Sequence, residues 1–141
     1  MKYIKEEFKL LLLKDLYARL PYGTIIQVKE WATVDTELKF GHIERLQYGE
    51  IELKPYLRPM SSMTEEEKEE LSHLLPKDWS VEIDKLNNFY FDMCPSIFME
   101  IDVFLNIIDW LNAHHFDYRG LIEKGLAIKA PEGMYNNEQN K

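Results

Sequence analysis

The sequence is short of cysteine, of long apolar runs, of positive charge and of recognisable catalytic motifs. Cys94 is the single cysteine among 141 residues, which excludes an intramolecular disulfide and is consistent with a reducing compartment. The composition is otherwise that of a globular protein, because 45% of residues are hydrophobic and 13% are aromatic. We therefore expect a folded chain that needs no covalent cross-link.

The sequence has no apolar run that is long enough for a signal peptide or for a membrane span. The leucines at residues 10–13 are followed by Lys14 and Asp15, so the run is too short for the apolar region of a signal peptide. The richest window, residues 97–111, contains several charged residues, whereas a membrane span needs ~18 uninterrupted apolar residues. We expect a cytoplasmic protein with no membrane partner.

Positive charge is scarce, since the net charge is -8. Residues 61–112 contain 12 acidic and 3 basic residues, so the acidity is concentrated in the middle of the chain. Such a surface repels phosphate backbones, which disfavours a nucleic-acid partner and suits a basic protein or a cation better. The simpler interpretation of the same charges is a solvated helix face.

Motifs of common catalytic and cofactor sites are also missing. The sequence contains no phosphate loop, Rossmann glycine pattern, HExxH, GxSxG or CxxC pair. It therefore predicts no cofactor and no metal site, and it disfavours an enzyme.

Apolar periodicity predicts a single α+β domain over residues 1–133. Apolar residues recur at intervals of three and four over residues 4–20, which indicates an N-terminal helix. Alternating residues at 24–31 predict a strand, and residues 38–48 and 50–53 predict two more. Short connections favour a small antiparallel β-meander.

The second half predicts C-terminal helices. Thr64 and Glu67 form a capping box that opens a short acidic helix, and short extended pieces are expected within residues 77–93. Residues 97–111 predict one long buried helix, and residues 118–124 predict a shorter one. The long helix carries a polar stripe, which we interpret as its solvent-facing edge: Asp102, Asn106 and Asp109. The polar tail at residues 134–141 is expected to be disordered.

His114, His115 and Asp117 are the candidate catalytic residues, because imidazole binds metals and titrates near neutral pH. The two histidines are adjacent, whereas a helical metal site spaces its ligands by four, so they do not converge on one ion. The favoured interpretation is structural: the histidines occupy a helix C-terminus, and Asp117 caps the next helix.

Two further features have structural and functional interpretations. Cys94 precedes a possible helix start, where a thiol can be activated, but a buried structural thiol is favoured. Residues 118–124 resemble the recognition helix of a helix-turn-helix protein, yet Arg119 and Lys124 supply too little positive charge for DNA.

Two segments resemble recurrent blocks in uncharacterised small proteins that are encoded by gut Bacteroidetes and by their phages and mobile elements. They are YLRPMSSMTEEEKEEL at residues 56–71 and DWLNAHHFDYRGLIEKGLAIKAPEGMY at residues 109–135. Those proteins have no established activity, ligand or catalytic residue. The resemblance therefore implies a bacterial or phage intracellular origin and assigns no site.

For the function we expect a small non-enzymatic accessory protein that binds another protein. The acidic residues 61–112 and the loop at residues 56–63 are the candidate surfaces. One alternative is a small metal-assisted hydrolase that uses His114, His115 and Asp117, and a DNA-binding regulator ranks third. The apolar content also allows a homodimer, because apolar residues can be shared between a core and an interface.

Overall fold

The computed structural model of this chain describes residues 5–75, 80–83, 89–92 and 101–135, with residues 80–83 and 89–92 described by their backbone. The contacts divide the chain into two compact units. Unit 1 comprises Met1–Leu57 and Arg119–Lys141, and unit 2 comprises Arg58–Tyr118. Each unit has its own hydrophobic core. The prediction of one domain over residues 1–133 stays a prediction.

The α+β class is confirmed, because the described residues form four α-helices, a four-stranded sheet and a two-stranded sheet. Helix α1 spans Glu6–Arg19, in agreement with the helix predicted over residues 4–20. Its inner face buries Leu12 and Leu16. Gly23 adopts a φ of 69° after the helix, a left-handed conformation that suits glycine and turns the chain towards the sheet.

The sheet of unit 1 contains β1 (Ile25–Lys29), β2 (Thr33–Glu37), β3 (Glu52–Leu57) and β6 (Ile128–Lys129). The strand order is β2-β1-β3-β6. β1 pairs antiparallel with β2 and with β3, so the order departs from the predicted meander, in which β2 would lie between β1 and β3, and β3 pairs in parallel with β6. The sheet is therefore mixed, because the C-terminal segment adds a parallel strand within residues 126–130, for which the sequence predicts extended backbone.

The strand predicted over residues 38–48 is wrong. The chain there forms helix α2, Phe40–Gln47, and the strand that pairs with β1 lies earlier, at β2. Ile43 and Leu46 are both buried at a spacing of three, which is a helical spacing. His42 Nδ1 accepts a hydrogen bond from the Lys39 N–H at 3.0 Å and so caps the first turn.

The helix predicted over residues 118–124 is also wrong, because these residues form turns. Gly120 and Gly125 have φ values of 73° and 74°, and a left-handed residue inside the segment interrupts an α-helix. Leu121 and Leu126 are nevertheless buried in the core of unit 1. These apolar residues are thus packed in the core although the segment is not helical.

The predicted disordered tail begins too early. Tyr135 is buried, and its hydroxyl accepts a hydrogen bond from Ile25 N–H at 2.9 Å and donates one to the Tyr56 carbonyl at 2.8 Å. Met134 forms part of the turn before it. The rest of the predicted tail, residues 136–141, lies outside the described residues.

Unit 2 contains helix α3 (Glu65–Ser72), strands β4 (Ser80–Ile83) and β5 (Phe89–Asp92), and helix α4 (Ile101–Ala113). The capping box predicted for α3 is confirmed, since Thr64 and Glu67 exchange hydrogen bonds of 3.0 and 3.1 Å. β4 and β5 pair antiparallel, in agreement with the short extended pieces predicted there. Cys94 lies outside the described residues.

Helix α4 corresponds to the long helix predicted over residues 97–111, of which residues 97–100 lie outside the described residues. Its inner face buries Ile107, Leu111 and Asn112. The polar stripe faces solvent, as predicted. Some of the apolar residues on α4 face solvent too, so burial is confined to a narrower face than the composition indicates.

Candidate functional site

His114 lies just after α4 and is held by aromatic and polar contacts within unit 2. Its ring stacks on Trp110 with a centroid distance of 4.0 Å, and its Nδ1 is 3.0 Å from the Trp110 carbonyl oxygen. Its Nε2 lies 3.8 Å from a carboxylate oxygen of Glu70, to which Trp110 Nε1 donates a hydrogen bond at 2.7 Å. The imidazole is thus one member of an aromatic and acidic network.

His115 ends the helix through its backbone. Its φ is 65°, a left-handed conformation that commonly ends helices, although glycine usually occupies that position. The His115 side chain is buried. Its carbonyl accepts a hydrogen bond from the Arg58 N–H at 2.7 Å, and Asp117 N–H donates to the Arg58 carbonyl at 2.8 Å. These two backbone hydrogen bonds connect residues 115–117 to Arg58, the first residue of unit 2.

Arg58 is the residue that the sequence did not reveal as central to this corner. Its guanidinium carbon lies 4.1 Å from the ring centre of Phe116, a cation–π arrangement. Its two terminal nitrogens donate to the two carboxylate oxygens of Glu67 at 2.8 and 2.6 Å. Such a two-pronged pair orients both side chains. Arg58 precedes a proline, which favours extended backbone but gives no signal of these contacts.

The Glu67 carboxylate serves α3 and Arg58 together. Burial by itself would raise the pKa of Glu67, but hydrogen bonds from Arg58 and from the Thr64 N–H, with the charge of Arg58, outweigh that effect. The pKa of Glu67 is therefore lowered from its ordinary value of 4.5. Residues 56–71 and residues 109–135 meet here, and their contacts are those of a packed structural corner.

The three candidate catalytic residues have different environments. His115 and Asp117 are buried, whereas His114 is partly exposed beside Glu70. Within the ranges that the structure describes, no group of three His, Cys, Asp or Glu side chains is placed to hold a metal ion. The arrangement favours the structural interpretation of the two histidines, whereas the predicted helix cap at Asp117 is wrong because residues 118–124 form turns. A catalytic role for these residues stays a prediction.

The loop at residues 56–63, predicted as a protein-binding surface, is mostly turned inwards. Tyr56 and Leu57 are buried in unit 1, and Met60 and Met63 are buried in the core of unit 2. The other predicted surface, within residues 61–112, does face solvent. It includes the exposed carboxylates of α3 and one side of α4.

Helix α4 presents an exposed apolar stripe beside its polar stripe. Ile101, Phe104 and Leu105 are 77%, 48% and 54% exposed, at the spacings of three and four that place residues on one helix face. Asp102 and Asp109 are exposed next to them. We call these exposed residues the α4 surface: Ile101, Asp102, Phe104, Leu105, Asn106 and Asp109.

Comparison with family models, with curated proteins and with solved structures found no match. The segment that resembles a recognition helix in sequence is a series of turns, which removes the geometric basis of the disfavoured helix-turn-helix interpretation. Across the described part of the chain, no helix has both the length and the apolar character required to traverse a bilayer.

Proposed function

We propose that this chain is a small, non-enzymatic, cytoplasmic accessory protein that binds another protein through the α4 surface. The observation that carries this proposal is the exposed stripe of Ile101, Phe104 and Leu105. Large apolar side chains that are exposed singly are common, whereas a contiguous exposed group marks an interaction surface. The family resemblance supports a bacterial or phage origin for such a protein.

The partner chemistry follows from the neighbours of the stripe. Asp102 and Asp109 border the apolar side chains, so the complementary surface would be apolar at its centre and basic at its edge. A basic amphipathic helix has this pattern, and helices of that kind bind apolar surfaces through side chains at spacings of three and four. Electrostatic attraction to an acidic chain would also speed the encounter.

The test uses the full chain and a synthetic helical peptide that carries leucines at positions i and i+4 and lysines elsewhere. Binding is measured by calorimetry and mapped by amide chemical shifts. The variant Phe104→Ser/Leu105→Ser should bind at least about tenfold more weakly, a loss typical of central interface residues. The matched control, Trp31→Ser/Tyr48→Ser, removes two exposed aromatic residues from unit 1 and should bind like the wild type.

Charge is tested by a second matched pair of variants. Asp102→Asn/Asp109→Asn should weaken peptide binding, whereas Glu44→Gln/Glu123→Gln changes the net charge equally at exposed positions of unit 1 and should not. His114→Ala should leave peptide binding unchanged. Equal binding by the α4 variants and their controls would overturn the proposal. So would a wild-type dimer in light scattering that becomes a monomer in Phe104→Ser/Leu105→Ser, because the stripe would then be a self-association face.

A further inference from the structure

Unit 1 contains a cleft of about 460 Å³ that is separate from the α4 surface. The floor is apolar and is formed by Phe8 and Leu12 of α1, Leu53 of β3, and Leu126. Leu12, Leu53 and Leu126 belong to the buried core, and Phe8 packs against it. A cleft of this volume with an apolar floor has the dimensions of a small-molecule site.

Four lysines line the same cleft, although they come from four distant parts of the sequence. Lys5 precedes α1, Lys29 ends β1, Lys54 lies in β3, and Lys124 precedes Gly125. All four are exposed, as expected of side chains that cover apolar surface with their methylene groups and keep their ammonium groups in water. The cleft is therefore lined by cations as well as by apolar side chains, with Lys29 and Lys54 on the sheet face opposite to Leu53.

This concentration of positive charge contrasts with the chain as a whole, whose net charge is -8. Among the described residues, none of the four lysine ammonium groups lies within ion-pair distance of a carboxylate. Glu52 also lines the cleft, as the cross-strand neighbour of Lys29, and offsets part of the charge. An excess of positive charge remains, and a cleft of one sign concentrates ligands of the opposite sign.

We propose that this cleft binds a small amphipathic anion, with an aliphatic body on the apolar floor and a carboxylate or phosphate head among the lysines. An inorganic anion would use the lysines and leave the floor bare. A neutral lipid would use the floor and gain nothing from the lysines. The observed combination matches a ligand that has both parts. Gln27 also lines the cleft; one N–H of its side-chain amide donates to the Tyr56 hydroxyl at 3.2 Å, and the second is able to donate to the head group.

The test titrates the full chain with butanoate, hexanoate and octanoate, and monitors amide chemical shifts and binding heat. Affinity should rise with chain length, by up to about fourfold for each methylene that reaches the floor. Shifts should cluster at Gln27, Lys54 and Leu126. Octyl phosphate takes the place of octanoate in a parallel titration, and the tighter of the two identifies the head group. Octanol and inorganic phosphate should each bind much more weakly than either.

Charge-matched variants locate the binding. Lys29→Gln/Lys54→Gln/Lys124→Gln should weaken octanoate binding at least about tenfold, since several exposed ion pairs contribute together. The control triple, Lys14→Gln/Lys39→Gln/Lys68→Gln, removes the same charge outside the cleft and should keep wild-type affinity. Five of these six lysines are exposed and Lys68 is partly exposed, so loss of folding is not expected.

Three results would overturn the proposal. The first is no binding of octanoate and octyl phosphate by the wild type. The second is equal weakening by the two triple variants, which would indicate general charge attraction. The third is an affinity that does not depend on chain length, which would leave the apolar floor without a role. The test is independent of the α4 surface, so its outcome does not decide the proposed function.

Discussion

At the scale of single residues, Asp15 and Arg19 form a buried ion pair in unit 1, in which each charge depends on the other for compensation. Both side chains have no exposure to solvent, and Arg19 donates to the two carboxylate oxygens at 2.7 and 3.1 Å. Arg119 Nε lies 3.4 Å from the same carboxylate. One carboxylate therefore compensates two guanidinium groups from opposite ends of the chain.

Asp15→Asn should lower the free energy of unfolding by about 3 kcal/mol, because a buried arginine would lose the charge that compensates it. Chemical denaturation of the full chain measures this change. Asp15→Leu/Arg19→Leu should be less destabilised than Asp15→Leu alone, since it removes the fully buried guanidinium together with the carboxylate and leaves only the partly exposed Arg119. A loss below about 1 kcal/mol for Asp15→Asn would contradict the assignment, as that is the range of exposed ion pairs.

At the scale of elements, the sequence predicts the structure correctly where the stabilising contacts join residues that are close together in the chain. The α3 capping box joins residues three apart, so the sequence alone predicts it. The α2 segment carries no comparable signal, because its helical form depends on burying Ile43 and Leu46 in the core of unit 1. Residues 118–124 show the opposite case, in which the sequence predicts a helix that ends before Gly125, but Gly120 within the segment has a positive φ and interrupts it.

The same distinction explains which site residues the sequence could reveal. His114 and His115 stand out as a pair in the sequence, and their position at the end of a helix was predicted from it. The contacts of Arg58 with Phe116, and the gathering of four lysines at the cleft, join residues that are far apart in the chain. Each of these lysines lies near acidic residues in the sequence, so the net charge of its segment does not reveal it. No local sequence pattern therefore indicates the cleft.

Glu67→Gln tests the junction between α3 and Arg58. Glutamine preserves the capping box, so the variant should isolate the loss of the charged pair, which we expect to cost about 1–3 kcal/mol at neutral pH. Because the folded pKa of Glu67 is below 4.5, ionised Glu67 stabilises the fold above that pH, and the contribution is lost as pH falls through the lowered pKa.

The measurement is the free energy of unfolding from pH 7 down into the acid range. The wild type should lose stability below pH 4.5 more steeply than Glu67→Gln, and the two curves should converge in acid. Glu66→Gln is the control, because Glu66 is an exposed carboxylate in the same helical turn. Parallel curves for wild type and Glu67→Gln would contradict the lowered pKa.

At the scale of the whole molecule, unit 1 is built from both ends of the chain. β6 adds to β3, and Tyr135 connects Ile25 and Tyr56 across separations of 110 and 79 residues. The segment that separates these ends in the sequence, Arg58–Tyr118, forms unit 2. Both proposed sites depend on this organisation: the α4 surface lies within the central segment, and the cleft requires Lys124 and Leu126 to join residues from the first half.

Bringing together residues of unit 1 that are far apart in the chain costs more conformational entropy than forming local contacts. We therefore expect the contacts of Tyr135 to form after the folding transition state. Tyr135→Phe should lower the free energy of unfolding by about 1–3 kcal/mol, because it leaves the part-buried Ile25 N–H without its acceptor and the Tyr56 carbonyl without its donor. Stopped-flow kinetics should show that nearly all of this change accelerates unfolding and that the folding rate stays close to the wild-type value. Tyr48→Phe is the matched control, since Tyr48 is 71% exposed, and it should change neither rate. A slower folding rate in Tyr135→Phe would instead mean that the two ends of the chain meet early, and that unit 1 forms around its C-terminal segment.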